Sequence, residues 1–396
     1  MSEPQKCPFD LARINSEPHA DRAYAAARAE HGPVFRADDL GEYVAVLGYD
    51  QVRAAAGQHD ELCSGQGATI PGLGVGQAIP TEVDEPEHRR YRRLLQPELR
   101  PDRVSAQEAR IVEIVDGIID GFIEEGRGDL REIAEQLPAL IIAGILGAPQ
   151  RAQEMLEVSD LLNRAAGRTD DAAKQAKQRY AAFIEELVTD AESDPESQGL
   201  LGLISRADLT HDERVRMGIS LVIAGHETTV NGISSLLWSL GEHPETKKRV
   251  IADPGLLPRA VDEALRLESP IAMMGRTATE PVTLAGVEIG VGEKVGLFFG
   301  AANLDPDRFP DPGTFDIDRS AAQSHLAFGH GIHRCVGEHL AKLEMRVAAE
   351  VVLRRIPDYR IDGEVRVGAN IAMNRGLISV PVIFTAKQLG GVSRGE

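Results

Sequence analysis

The stretch Phe328-Gly329-His330-Gly331-Ile332-His333-Arg334-Cys335-Val336-Gly337 decides the reading of the chain, because it sets one thiol on a glycine-rich turn ahead of a helix. Gly329, Gly331 and Gly337 permit tight backbone paths. Downstream, Val336, Leu340, Leu343, Val347 and Val351 recur at three or four residues, which predicts a helix over 338–355. Cys335 then lies at or just before a helix N-terminus, where free amides and the helix dipole favour a thiolate. A thiolate held there is a nucleophile or a metal ligand. The competing local reading is a buried structural cysteine.

Working outward, the composition bounds the alternatives. The 396 residues are 42% hydrophobic and 27% charged, enough for a sizeable core in one large or two moderate units. The most apolar runs, 137–149 and 219–224, are too short to span a bilayer. The segment 1–9 carries Glu3, Pro4, Gln5 and Lys6 and lacks an apolar signal-peptide core, so a cytoplasmic protein is expected. Cys7, Cys63 and Cys335 are too few and scattered for a disulfide framework. A net charge of −19 argues against nucleic-acid binding and adsorption to acidic membranes.

The first third alternates helix and strand signals: helix over 20–30, short strands at 34–35 and 43–46, helix over 49–56. Residues 64–80 are glycine-rich with scattered apolar side chains (Ile70, Leu73, Ile79), and the glycine spacing fits no phosphate-binding fingerprint. An apolar loop over a pocket suits them better. Acids at Asp84, Glu85 and Glu87 then open a helix carrying Arg89, Arg90, Arg92 and Arg93; His88 and Arg92, four apart, share one face and could clamp an anion. A solvated basic face is the plainer reading. Helices follow over 103–125, 130–146 and 151–189, the last interrupted at 167–170.

Thr210 and Glu213 form a capping box for a helix running to about Gly241, unusually long for a globular protein. Its first half, 217–225, has so little charge that it must be buried on most sides. His226-Glu227-Thr228-Thr229 follows, and burying Glu227 costs several kcal/mol unless it is paired or protonated. An acid and hydroxyls inside a core helix mark a candidate site. A zinc-protease pattern starts at His226-Glu227 but fails at Val230, and a zinc cluster of His330, His333, Cys335 and His339 is a weaker account of the cysteine loop.

These stretches, in this order, resemble the cytochromes P450. Their haem-ligand motif runs Phe, Gly, any, Gly, any, His, any, Cys, any, Gly, and Phe328, Gly329, Gly331, His333, Cys335 and Gly337 match it. The resemblance implies a mainly α fold with small β-sheets, a single P450 domain over 1–396, and a long central helix over haem b. By position it implies Cys335 as the proximal iron ligand, and His88, Arg92, Arg276 and His333 on the haem propionates. Ala224-Gly225-His226-Glu227-Thr228-Thr229 is similar to the family's oxygen-activating segment, with Glu227 the acid, Thr228 the hydroxyl and Gly225 letting the helix widen. Glu263 and Arg266 match a structural ion pair that a third arginine completes, either Arg308 or Arg319. Leu304 departs from the family's usual arginine, which puts one local ion pair in doubt.

The implied activity is that of a bacterial-type haem-thiolate monooxygenase. Two electrons would come from a ferredoxin or flavodoxin-type donor with its NAD(P)H-dependent reductase, since no such segment is present. O₂ and a small to medium hydrophobic substrate would meet in a pocket lined by Ile70, Leu73, Ile79, Ile271, Ala272, Met273, Ile371, Ala372 and Met373. Basic groups over the cysteine loop, such as Arg89, Arg93, Arg334, Lys342 and Arg346, are expected to steer an acidic donor. The rivals are a peroxide-dependent or isomerising haem-thiolate enzyme and a haem carrier or sensor. Glu227-Thr228 favours O₂ activation over the former.

Overall fold

Thr210 starts the central helix, His211–Glu242, through the expected box: its hydroxyl accepts from the Glu213 amide and the Glu213 carboxylate accepts from the Thr210 amide. The computed structural model describes residues 9–17, 20–70, 72, 77–165, 168, 170–368 and 373–386. Around the central helix pack Arg131–Leu146, Asp171–Ser193 and the helix after the cysteine loop, Glu338–Arg355, in one large apolar core. Two glycines allow these close crossings. A Cβ on Gly225 would lie 3.0 Å from Cδ1 of Ile142, and one on Gly232 would lie 2.9 Å from Sδ of Met345. The helix is regular α across Gly225, so this glycine serves close helix packing here and does not widen the helix.

A five-stranded sheet flanks the helices, in the order Val34–Ala37, Tyr43–Val46, Lys294–Leu297, Met274–Ala278, Leu62–Cys63. Its pairing is antiparallel except between Tyr43–Val46 and Lys294–Leu297. The hairpin Val282–Leu284/Val287–Ile289 turns on Ala285 (φ 46°) and Gly286 (φ 84°), the paired positive φ of a type I′ turn. Residues 103–125, read as one helix, form Pro101–Ser105, Glu108–Asp120 and a single 3₁₀ turn, Ile123–Glu125. The first break falls where the Ser105 hydroxyl donates to the Asp102 carbonyl at 3.0 Å, in competition with helix hydrogen bonding. Short helices at Gly199–Ser205, Pro244–Ala252 and Phe299–Asn303 carry too few periodic positions to be read from sequence.

The helix Leu257–Leu267 is locked to the irregular chain leading to the cysteine loop. Arg266 makes a bidentate pair with Glu263 (2.8 Å on each oxygen), and both side chains are fully buried. Arg319, not Arg308, completes the pair, with Nε 3.0 Å from Glu263 Oε1. Arg308 lies over the Tyr49 ring and donates to Ser324 Oγ. Arg266 also donates to the carbonyls of Asn303, Pro312 and Thr314, so one guanidinium anchors three points of a segment with little regular structure. Removing one partner of a buried pair strands the other charge. Arg266→Met is expected to cost about 3–5 kcal/mol. Arg319→Met should cost less, about 1–3 kcal/mol, because the bidentate bond survives. Urea unfolding checks both; equal losses would mean that the bidentate bond carries no special weight.

Candidate active site

The cysteine loop is a tight turn closed by its own backbone. The Cys335 amide donates to the Phe328 carbonyl at 2.9 Å, and Gly329 (φ 71°) and Gly331 (φ 75°) take left-handed conformations. At Gly331 a side chain is also barred by contact, since a Cβ would lie 2.5 Å from the Ala56 carbonyl oxygen. The helix begins at Glu338 behind Gly337, so Cys335 precedes it as expected. The thiol's electrostatics differ from the expectation. Burial among protein atoms raises its pKa and outweighs the lowering by the Gly337 amide, Arg92 and Arg334, while Glu338 raises it further. The side chain nonetheless has exposed surface, so it borders open space deep in the fold. The helix-end amide and the two guanidiniums thus do not outweigh burial at this thiol.

Beside the loop, four bases converge. His88 is on the helix Glu87–Leu95, Arg92 one turn along it, Arg276 on the strand Met274–Ala278, and His333 in the cysteine loop. The His88 and His333 rings lie 4.5 Å apart, edge to face. Among the described residues, both nitrogens of His88 and Nε2 of His333 are buried without a hydrogen-bond partner. Glu85 stands 3.8 Å from His88 Nδ1, beyond hydrogen-bond reach. Among the described residues neither Arg92 nor Arg276 has an ion-pair partner, and Arg276, 5% exposed, donates only to the carbonyl of Gly275. Burial, chiefly, pushes the pKa of Arg276 down to about 10 and that of Arg92 down. Burial, then Arg276, His88 and Arg92, push that of His333 to about 3. Four bases with one acid, Glu85, at the edge of the cluster and two guanidiniums without an ion pair among the described residues fit a dianionic ligand, and the two propionates of a haem are such a pair of carboxylates.

On the central helix the side chains at Ala224, Thr228 and Gly232 follow at four-residue spacing, and Gly232 is where Glu338–Arg355 crosses. Ala224 is exposed in the midst of an otherwise buried helix, so open space lies against this face. The Thr228 hydroxyl donates to the Ala224 carbonyl at 2.8 Å. Glu227 is buried and pairs with Arg131, Nη2 to Oε1 3.7 Å. Arg131 also bonds Glu135 (2.9 Å), Asn231 (3.1 Å) and the Leu377 carbonyl (2.6 Å). Sequence reasoning missed Arg131. The signal available was a lone base in the first turn of an apolar helix, where the dipole disfavours it.

A family model described as Cytochrome P450 matches residues 148–356. The cytochrome P450 monooxygenase PikC of Streptomyces venezuelae is 36% identical, with 94% of each chain covered. A steroid C26-monooxygenase of Mycolicibacterium smegmatis is 33% identical over 95% of this chain and 96% of its own. The chain belongs to the cytochrome P450 family. Among solved structures, P450BioI in complex with an acyl carrier protein ligated to hexadec-9Z-enoic acid superposes with a TM-score of 0.85 at 30% identity, covering 94% of this chain and all of that one. The protein is therefore a haem-thiolate monooxygenase that binds haem b, on a mainly helical P450 fold. Bacterial P450s generally draw electrons from a ferredoxin and its reductase and act on hydrophobic substrates. No helix among the described residues is long and apolar enough to cross a membrane.

In this P450 the two pocket segments read from sequence meet: Ile271 bridges Asn374, and the Ala272 amide donates to the Met373 carbonyl at 2.7 Å. Ile70, Ala272, Met273 and Met373 are buried in one cluster on the sheet side, whereas Ile79 packs in the helical core with Tyr91 and Leu95. Leu73, Ile371 and Ala372 lie outside the described residues. The basic groups over the cysteine loop are mostly already paired. Arg89 meets Glu85, Arg334 meets Glu338, Lys342 meets Asp262 and Glu338, and Arg346 meets Glu108 and Glu350. Arg93 is exposed, with no ion pair among the described residues. The expected steering patch is thus largely neutralised, mostly by acids four residues away along the chain and also by the distant Asp262 and Glu108.

The helix bearing His88 and Arg92 is tied to the central helix by Tyr91, whose hydroxyl donates to Glu213 Oε1 at 2.5 Å. That bond, then the Thr210 amide, holds the Glu213 carboxyl down at about 2, against a partial opposing effect of burial. A depressed carboxyl contributes stability that is present above its ordinary value near 4.5 and lost as pH falls toward about 2. Tyr91→Phe should therefore move the acid-unfolding midpoint to higher pH, followed by circular dichroism. An unmoved midpoint would show that the bond does not couple these helices.

Proposed function

We propose that the chain, 1–396, works as one P450 domain in the cytoplasm, that Cys335 is the haem-iron ligand, and that Phe328 packs beside it. His88, Arg92, Arg276 and His333 would hold the propionates. The observation that carries this reading is the base cluster, with two guanidiniums unpaired among the described residues and both histidines carrying buried nitrogens without a partner, set beside the cysteine turn whose thiol borders open space. Haem b bound through a cysteine thiolate supplies an iron centre that favours O–O cleavage and oxidation of a substrate carbon. The electron donor would be a ferredoxin or flavodoxin-type protein with its NAD(P)H-dependent reductase. The substrate would be a small to medium hydrophobic molecule that is hydroxylated or oxidatively dealkylated. Relatives described as a steroid C26-monooxygenase and a vitamin D(3) 25-hydroxylase accord with an apolar substrate.

The remaining work falls to the central helix. Ala224 leaves room against its open face, and the Thr228 hydroxyl, one turn on, exchanges its bond to the Ala224 carbonyl for one to a water beside the reacting oxygen. Glu227 relays protons to that water from solvent, moving away from Arg131, whose 3.7 Å approach is looser than a hydrogen bond. Arg131 stays in place on its three other bonds. Both contacts also suit a purely structural pair, so the variants must separate the two readings.

Cys335→His should abolish the red-shifted ferrous carbon monoxide band of thiolate ligation. A parent protein that holds haem without that band would refute the ligand assignment. Thr228→Ala should keep substrate binding and reduction but divert much of the consumed O₂ to hydrogen peroxide. Glu227→Gln should slow turnover, within the roughly 10²–10⁴-fold range of a positioned proton-transfer group, and enlarge the solvent isotope effect. Unchanged rate and coupling in both variants would leave the pair a structural feature only.

A further inference from the structure

The helix stripe that carries Thr228 and Ala224 continues toward the start of the central helix. Stepping back by four residues from Thr228 and Ala224 reaches Ser220 and then Arg216, each step rising about 6 Å along the axis. Ser220 is 8% exposed, and its hydroxyl is buried with no hydrogen-bond partner. This is unusual even within the same helix, where Thr228 and Ser234 each donate to the carbonyl four residues back, at 2.8 and 2.9 Å. Arg216 shows a second vacant donor. Its terminal nitrogens bond Asp212 and, at 3.3 Å, Gln77 Oε1 at the end of the glycine-rich loop, while its Nε is buried and has no hydrogen-bond partner among the described residues. A buried donor left unpaired is costly, and two on one stripe of one helix, leading to the open space beside Ala224, point to a ligand that supplies the acceptor.

We infer that Ser220 and Arg216 recognise an oxygen acceptor, a carbonyl or carboxylate, at the end of the substrate remote from the carbon that is oxidised. This rests on the monooxygenase reading above and narrows its substrate class. Eight and twelve residues separate Ser220 and Arg216 from Thr228, or about 12 and 18 Å along the helix. The substrate is thus an elongated apolar molecule with an acceptor about 12–18 Å from its reacting carbon. Rotation about one side-chain bond brings the Ser220 hydroxyl toward the Ala224 side. Two donors that lack an acceptor among the described residues suit an acceptor end group and not a cationic one.

The test uses the haem-loaded full chain and titration calorimetry, which reads binding without turnover, with dodecanoate, methyl dodecanoate and dodecyltrimethylammonium as probes. At least one acceptor probe should bind about ten-fold or more tightly than the ammonium. Ser220→Ala and Arg216→Gln should each erase most of that preference while leaving ammonium binding unchanged. Ser220→Ala should also melt no lower than the parent without probe, since it removes an unpaired buried group. Dodecanoate against its methyl ester tells carboxylate from carbonyl. Equal binding of all three probes, or variants that weaken all three alike, would overturn the subsite. So would no binding at all by a protein that shows the thiolate carbon monoxide band, and that result would leave the enzyme reading standing. Absence of the band is the separate failure of that reading.

Discussion

The fold around the cysteine depends on three charges buried together. Glu263, Arg266 and Arg319 have given up nearly all their water, and what makes that tolerable is that almost every lone pair and N–H is met: two bonds between Glu263 and Arg266, one from Arg319, one from the Asp316 amide, and three carbonyls on Arg266. Such a network rewards one arrangement of chain and penalises others. It is placed where regular structure is scarce, along residues 303–337. Polar anchors continue the task there: Asn303 accepts from the Leu326 amide at 2.6 Å and donates to Ser269, and Asp305 accepts from the Tyr49 amide. The cysteine turn hangs from these anchors.

Charge placement then gives the site its chemical character. On one side of the loop, burial depresses the pKa values of the crowded bases, and neighbouring cations depress those of the two histidines further; within it, a thiol is pushed the other way by burial. Under the reading proposed above, a single ligand with a metal cation and two carboxylates would partner the thiol and the bases together. The cost of holding these groups apart from partners is met by the stable core of helices beneath them.

The local signals were legible from sequence. The capping box at Thr210 and Glu213 and the glycines of the cysteine loop are fixed by bonds among neighbours, and the structure shows each where the pattern placed it. Contacts between distant segments were not. Choosing Arg319 over Arg308 required knowing how residues 308–319 double back, and the Arg131–Glu227 pair joins helices whose crossing no periodicity reveals. The thiol's raised pKa was missed for the same reason: helix-end amides are visible in sequence, burial is not. The break after Ser105 shows a single hydroxyl overriding a good apolar pattern.

The ion pairs on the face over the cysteine have a consequence for molecular encounters. Arg334, Lys342 and Arg346 are each committed to a neighbour on the same face, so that surface presents locked dipoles more than a field. Fields from opposed charges cancel within a Debye length, and little remains to draw a partner from afar. A protein meeting this face must find it by diffusion and hold it by fit. Association with such a face is slower than a steered encounter and depends little on salt.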